Sequence, residues 1–189
     1  KRLNLWVNAS TPCLSLEGWR KGQSVGWKPA LDVPALRKQP CYIGLDLASK
    51  LDLCALSIVF PPAGPERPRW RWLQQIWTPA ATLDERAHRD RAPYRVWVEQ
   101  GWLLTTPGVR IDQQVVLEAV LAACELYEVK FIGFDEWKAD KLVDDIAEAI
   151  GDGERDPDER RLVPVSQTFR GMSNACAKVQ ADILAGEVD

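Results

Sequence analysis

Residues 41–60, CYIGLDLASKLDLCALSIVF, decide how the rest of the chain is read. Two β-rich runs, YIGLDL and LCALSIVF, are separated by the polar stretch ASKLD, the pattern of a hairpin. Period-two alternation puts Tyr42, Gly44 and Asp46 on one face of the first strand and Ile43, Leu45 and Leu47 on the other. Asp46 is the anomaly. A carboxylate buried in an otherwise apolar run is costly unless something compensates it, so this strand predicts a partner for its charge. Gly44, two residues back on the same face, leaves room beside it.

Working outward, PPAGPERP ends the second strand, and RWRWLQQIW predicts a third that completes an antiparallel meander. Residues 82–100 have helical composition interrupted near Pro93, with Gly101 as a stop. After TTPG, a helix capped by Asp112 carries Val116, Val120, Ala123 and Tyr127 at the spacing of one buried face. VKFIGFDEW is a short apolar strand that ends in a second acid, Asp135. KADKLVDDIAEAI sets Leu142, Val143, Ile146 and Ile150 on one helical stripe, and GDGERDPDERR is a charged loop. LVPVSQ is a last strand, after which Ser173 caps a helix through Ala185, with Gly186 past its end. The order predicts an α/β fold flanked by helices, a mixed sheet of about five strands in which the three-strand antiparallel meander continues into parallel strands by right-handed crossovers. If the fourth strand lies beside the first, Asp46 and Asp135 meet at the carboxyl ends of adjacent strands, where open α/β sheets place their sites.

The 189 residues, 46% of them hydrophobic and 27% charged, suit one globular domain, and no apolar run is long enough to span a membrane. Membrane anchoring and secretion are not expected. The chain starts KRLNLWVNAS, with no initiator methionine, and reads as part of a longer protein. Residues 1–40, with Trp6, Trp19 and Trp27, read as a connecting arm with short helical turns. Five widely spaced cysteines and a single histidine offer no structural-zinc pattern and read as reduced thiols. His88 reads as a surface histidine.

A net charge of −3 and a pI near 5.3 leave any nucleic-acid contact to local patches. Two exist: Arg67, Arg69 and Arg71 interleaved with Trp70 and Trp72, and the stretch with Arg86, Arg89, Arg91 and Arg95. Charge patterning alone favours the plainer reading of a solvated helix face and a hairpin with basic edges. Neither GxxxxGK[ST] nor GxGxxG after a strand is present, so nucleotide binding by those loops is not expected.

Two carboxylates brought together repel unless a divalent cation binds between them, and Mg²⁺ and Mn²⁺ favour such oxygen ligands while keeping waters for substrate phosphates. Two such ions would serve phosphodiester hydrolysis. The plainer alternative is that each acid is a strand-end cap or ion-pair member. Asp52, in the hairpin, is a turn residue or a support for the site.

The succession LNLWVNAS, CYIGLDLASKLDLCALSIVF, WVEQGWLLTTPGVRID, FIGFDEWKADKLVDDI and VSQTFRGMS resembles the nuclease domain of the large terminase subunit of tailed bacteriophages. The resemblance covers nearly the whole chain in order. It implies a ribonuclease-H-like fold over residues 41–189, joined by an arm at 1–40 to an upstream ATPase domain. It also implies an endonuclease dependent on Mg²⁺ or Mn²⁺, with two ions in the complete protein, that cuts concatemeric double-stranded DNA in the host cytoplasm. The implied partners are DNA, the ATPase domain, the small terminase subunit and the portal. Asp46 in IGLDLAS matches the family's first metal-binding acid and Asp135 in GFDEW its second. In QTFRGMS, Phe169 and Arg170 would shape the rim or meet DNA, against core packing and a surface ion pair as the alternatives.

The family supplies a third acid well after the helix that here reads NACAKVQADILAG, and the chain stops at Asp189. Glu136 falls on the opposite side of its strand from Asp135, and Asp189 comes too early. A C-terminally truncated domain with weak metal affinity and weak cutting is therefore expected. A non-catalytic module docking on the packaging motor or portal, and another ribonuclease-H-like nuclease such as a junction resolvase, are the alternative functions.

Overall fold

Strand β1 (Pro40–Asp46) shows the expected alternation, with Cys41, Ile43 and Leu45 buried and Tyr42, Gly44 and Asp46 exposed. It pairs antiparallel with β2 (Cys54–Phe60), which pairs antiparallel with β3 (Arg71–Pro79), so the meander is present. These come from a computed structural model that describes residues 16–21, 30–47, 53–135 and 141–189. Asp52, Glu136, Trp6 and Trp27 lie outside the described residues.

Beyond β3 the chain forms α2 (Leu83–Asp90) and α3 (Tyr94–Glu99), separated at Pro93, which has no N–H to continue a helix and whose ring clashes with the preceding turn, and turns at Gly101 (φ 78°). It then adds β4 (Leu104–Thr106), which runs parallel to the end of β3. This strand is the one the sequence does not announce: three residues are too few to display a period. Asp112 caps α4 (Gln113–Leu126) by accepting from the Gln114 N–H at 3.0 Å. β5 (Glu128–Asp135), α5 (Lys141–Ala149), β6 (Leu162–Val165) and α6 (Phe169–Ala185) complete the order. Among the described residues the sheet has six strands in the order β4-β3-β2-β1-β5-β6, with β2 alone antiparallel to its neighbours. The mixed α/β sheet expected from the sequence thus stands, one strand larger.

The core lies on one face, where Ile43, Leu45, Leu56, Ile58 and Ile132 meet Val116, Val120 and Ala123 of α4 and Leu142, Val143 and Ile146 of α5. The Tyr127 hydroxyl ties the arm to this core, donating to the Leu31 carbonyl at 2.6 Å and accepting from the Val33 N–H at 3.1 Å. Farther back in the arm, Leu16–Lys21 forms α1, whose Trp19 stands edge-on to Trp72 at 6.4 Å.

The final helix departs from expectation. Thr168, not Ser173, is its N-cap, accepting from the Gly171 N–H at 3.2 Å, while the Ser173 hydroxyl donates to the Phe169 carbonyl inside the first turn. Both residues are competent caps, and the strand ending at Val165 brings the backbone to Thr168 first. Past Gly186 (φ 73°) the chain pairs with the start of β3: Trp70 N–H donates to Glu187 O and Trp72 N–H to Asp189 O, each at 2.8 Å.

Candidate active site at the carboxyl ends of two parallel strands

β1 and β5 are parallel neighbours, in register from Tyr42↔Phe131 to Leu45↔Phe134. One residue further, that register sets Asp46 beside Asp135. The same level of the sheet continues through Asp46↔Ala55 and Ala55↔Ile76 on one side and Asp135↔Val165 on the other. Ile76, Ala55, Asp46, Asp135 and Val165 therefore form one row across five strands. Residues opposite one another in adjacent strands project from the same face about 4.8 Å apart, so the two carboxylates emerge side by side.

Their environments differ. Asp46 is exposed and Asp135 only 6% exposed. The expectation of a buried charge at Asp46 is thus corrected: α4 and α5 cover the other face of β1, and the face carrying Tyr42, Gly44 and Asp46 is left open. The buried acid is Asp135, flanked by β6. A Cβ at Gly44 would meet nothing within 4 Å, so the floor in front of the acids is clear. A Cβ at Gly133 would lie 3.0 Å from Phe131 and from Val165, so β6 fits closely only against glycine there.

β6 owes its position to a residue that the sequence hides in a charged loop. Asp152, 2% exposed, accepts from the Arg161 N–H at 2.9 Å and the Leu162 N–H at 3.0 Å, fixing the start of the strand. From Val165 the chain turns into α6, and a Cβ on Gly171 would come within 2.5 Å of the Ser166 carbonyl oxygen, which explains glycine in QTFRGMS. Phe169 is 91% exposed and Arg170 is exposed, which excludes core packing for Phe169 and leaves both on the flank of the row beyond Asp135.

The arginine patches separate. Arg67 donates to the Pro61 carbonyl at 2.6 Å within the β2–β3 loop, and Arg69 and Arg71 both pair with Asp189 at 3.0 Å. They sit at the start of β3, about five residues or 16 Å along the sheet from the Asp46 level. Asp189 is thereby engaged far from the acids. In the second patch, Arg86 is buried and donates to Thr78 at 2.6 Å, so its place as a DNA contact is corrected to that of an internal strut between α2 and β3. The Thr78 hydroxyl and the Tyr94 ring 5.4 Å away compensate its buried charge. Arg89 pairs with Asp90, and Arg95 with Asp84. These pairs hold the carboxyls of Asp84 and Asp90 below the usual range, through hydrogen bonds from Arg95 and Arg89 respectively. Arg91, in left-handed backbone at the end of α2, is exposed.

Among the described residues, no group of three or more His, Cys, Asp or Glu stands together as a metal cage. The donor set at the row is one exposed carboxylate, Asp46, beside one buried carboxylate, Asp135. That chemistry fits a hard divalent cation that retains waters and shares a substrate phosphate, rather than a closed structural site. Burial pushes the Cys41 thiol up to about 12, so it is a poor thiolate ligand.

The family defined by the terminase large subunit endonuclease domain matches residues 1–187. The chain belongs to that family. It is 33% identical over 162 residues to the terminase large subunit of Enterobacteria phage HK97, aligning 86% of the chain with 30% of that protein. It is 25% identical over 193 residues to Protein YmfN of Escherichia coli strain K12, aligning 98% of the chain with 39% of that protein. The crystal structure of the HK97 bacteriophage large terminase superposes with a TM-score of 0.71 at 33% identity, covering 94% of the chain and 33% of that structure. The terminase endonuclease domain described here therefore spans about a third of the length of these relatives, and its mixed sheet is of the ribonuclease-H-like kind.

Proposed function

We propose that this terminase domain is a metal-dependent endonuclease that hydrolyses phosphodiester bonds of concatemeric double-stranded DNA during phage genome packaging. The observation that supports the reading is the parallel register of β1 and β5, which brings the strand ends bearing Asp46 and Asp135 together in a chain of this family. Asp46 and Asp135 would hold Mg²⁺ or Mn²⁺. Bound there, such ions supply Lewis-acid activation of water and neutralise charge at the scissile phosphate, two ions serving in the complete protein.

The chain's own residues set the conditions. Asp46, exposed, keeps one side of the pair accessible to water and to the phosphate backbone, while Asp135, buried between β1 and β6, is restrained by its neighbours. Gly44 leaves the approach unobstructed. Phe169 and Arg170 shape the rim on the β6 side, and exposed Arg91 offers a phosphate contact on the other. The remaining partners are an ATPase domain joined through residues 1–40, the small terminase subunit and the portal, in the host cytoplasm.

Supercoiled plasmid incubated with Mn²⁺ tests this: nicked and linear products are expected from the wild type and none from Asp46→Ala or Asp135→Ala. Equal cutting by Asp46→Ala would overturn it. A docking module is the second reading, favoured by Phe169, Val179 and Leu184 exposed along α6, and such a module would keep its function in Asp46→Ala.

A further inference from the structure

Two strands from Asp46 in the same row, Ile76 forms the floor of an open cleft of about 390 Å³ lined by Leu53, Trp97, Gln100, Trp102 and Leu103. Trp97 is 36% exposed and Trp102 40% exposed, although indole rings of a folded domain ordinarily find cover. The cleft is built, not incidental. The Trp97 carbonyl accepts from the N–H of Trp102 at 2.8 Å and of Leu103 at 3.1 Å, which fixes the backbone turn that brings both residues to the cleft. Trp97 leans on Tyr94 at 5.4 Å, Tyr94 lies under Arg86, and Arg86 is bonded to Thr78 of β3. Three buried side chains thus connect Trp97 to the sheet that carries the acids.

We propose that this cleft is a subsite for an unstacked nucleobase of the substrate strand. It rests on the endonuclease reading of the Asp46–Asp135 row and adds a recognition element to it. Indole faces stack on any base, which suits a nuclease without sequence preference, and the Gln100 amide, with both a donor and an acceptor, can meet a base edge. The reach is right: two strand spacings, about 10 Å, separate Ile76 from Asp46, which is about three base steps of one strand. Arg91, exposed at the turn leading into the helix that carries Trp97, provides positive charge for the phosphate of the same nucleotide and makes no ion pair among the described residues. A base held here would leave the duplex close to the cleavage position, so the subsite favours frayed, gapped or single-stranded DNA over intact duplex.

The experiment compares wild type with Trp97→Leu, Trp102→Leu and the corresponding Tyr variants. Binding of a fluorescein-labelled oligothymidylate and of a duplex of equal length is followed by anisotropy in Ca²⁺, plasmid cutting is measured in Mn²⁺, and thermal midpoints report folding. Each Leu variant is expected to bind the single strand about 5- to 100-fold more weakly, the loss of one base–aromatic stack, with a smaller loss on duplex. The Tyr variants, which keep a stacking face, are expected to stay within a few-fold of wild type at an unchanged midpoint. Leu variants that bind like wild type, while the wild type cuts and Asp46→Ala does not, would overturn the subsite and leave the endonuclease reading standing. Equal losses in Leu and Tyr variants would also overturn it, by reducing the indoles to packing. A wild type that neither binds nor cuts DNA would overturn both.

Discussion

Replacing Asp152 by alanine removes the one acceptor shared by the Arg161 and Leu162 amides, at 2.9 and 3.0 Å, in a place 2% exposed where water cannot substitute. Each buried N–H left unpaired costs about 1–3 kcal/mol, so the variant should lose about 2–6 kcal/mol. At about 2–4 °C per kcal/mol for a chain of this size, the thermal midpoint should fall by roughly 4–24 °C. Asp152→Asn keeps one carbonyl oxygen and should lose about half as much. The damage should be local before it is global, because Asp152 fixes the first residue of β6 and β6 flanks Asp135. Amide hydrogen exchange measured with thermal unfolding would show faster exchange at Arg161, Leu162 and along β6, with α4 little changed. A midpoint within 1 °C of wild type, or exchange that rises uniformly, would refute the reasoning.

Gly44→Val should leave stability unchanged or slightly higher, since a Cβ there meets nothing and valine suits a strand, yet it should lower plasmid cutting at least tenfold by filling the floor before the acids. Unaltered cutting would count against that placement. Gly171→Ala should destabilise the β6–α6 turn by about 1–3 kcal/mol, because its Cβ would press on the Ser166 carbonyl at 2.5 Å; chemical denaturation measures it. Cys41 carries a raised thiol pKa of about 12 because of burial, so folding favours its neutral form. The associated stability is complete below the unfolded thiol's value near 9 and is lost as pH rises from there towards about 12, a slope that Cys41→Ala should flatten in urea titrations. In the native protein a thiol reagent should modify exposed Cys176 and spare Cys41 and Cys54.

What could be read from the sequence follows from how far each signal extends. Period-two alternation over seven residues was enough for β1 and β2, and an N-cap with a long apolar stripe was enough for α4. The neighbourhood of Asp46 and Asp135 followed from strand order, which the right-handed crossover rule narrows strongly. β4 was missed because three residues carry no period, and the start of α6 because Thr168 and Ser173 are equally good caps by type. Arg86 and Asp152 stand for a harder class. Each lies in a charged run that reads as solvated, and only tertiary packing buries one under Tyr94 and turns the other onto the β6 backbone. The exposure of Asp46 belongs with them, since a strand pattern tells two faces apart without saying which is covered. The Trp97–Trp102 cleft likewise depends on a loop closing on α3, a contact no local pattern announces.

The claim on which the rest depends is that Asp46 and Asp135 together hold a divalent cation. Crystals soaked in Mn²⁺, with anomalous data collected near the manganese edge, address it directly. The expected result is an anomalous peak between the two carboxylates, within about 2–2.5 Å of an oxygen of each, that disappears in Asp46→Asn. Carboxylates turned apart with no peak between them, or a peak that survives the substitution unchanged, would contradict it.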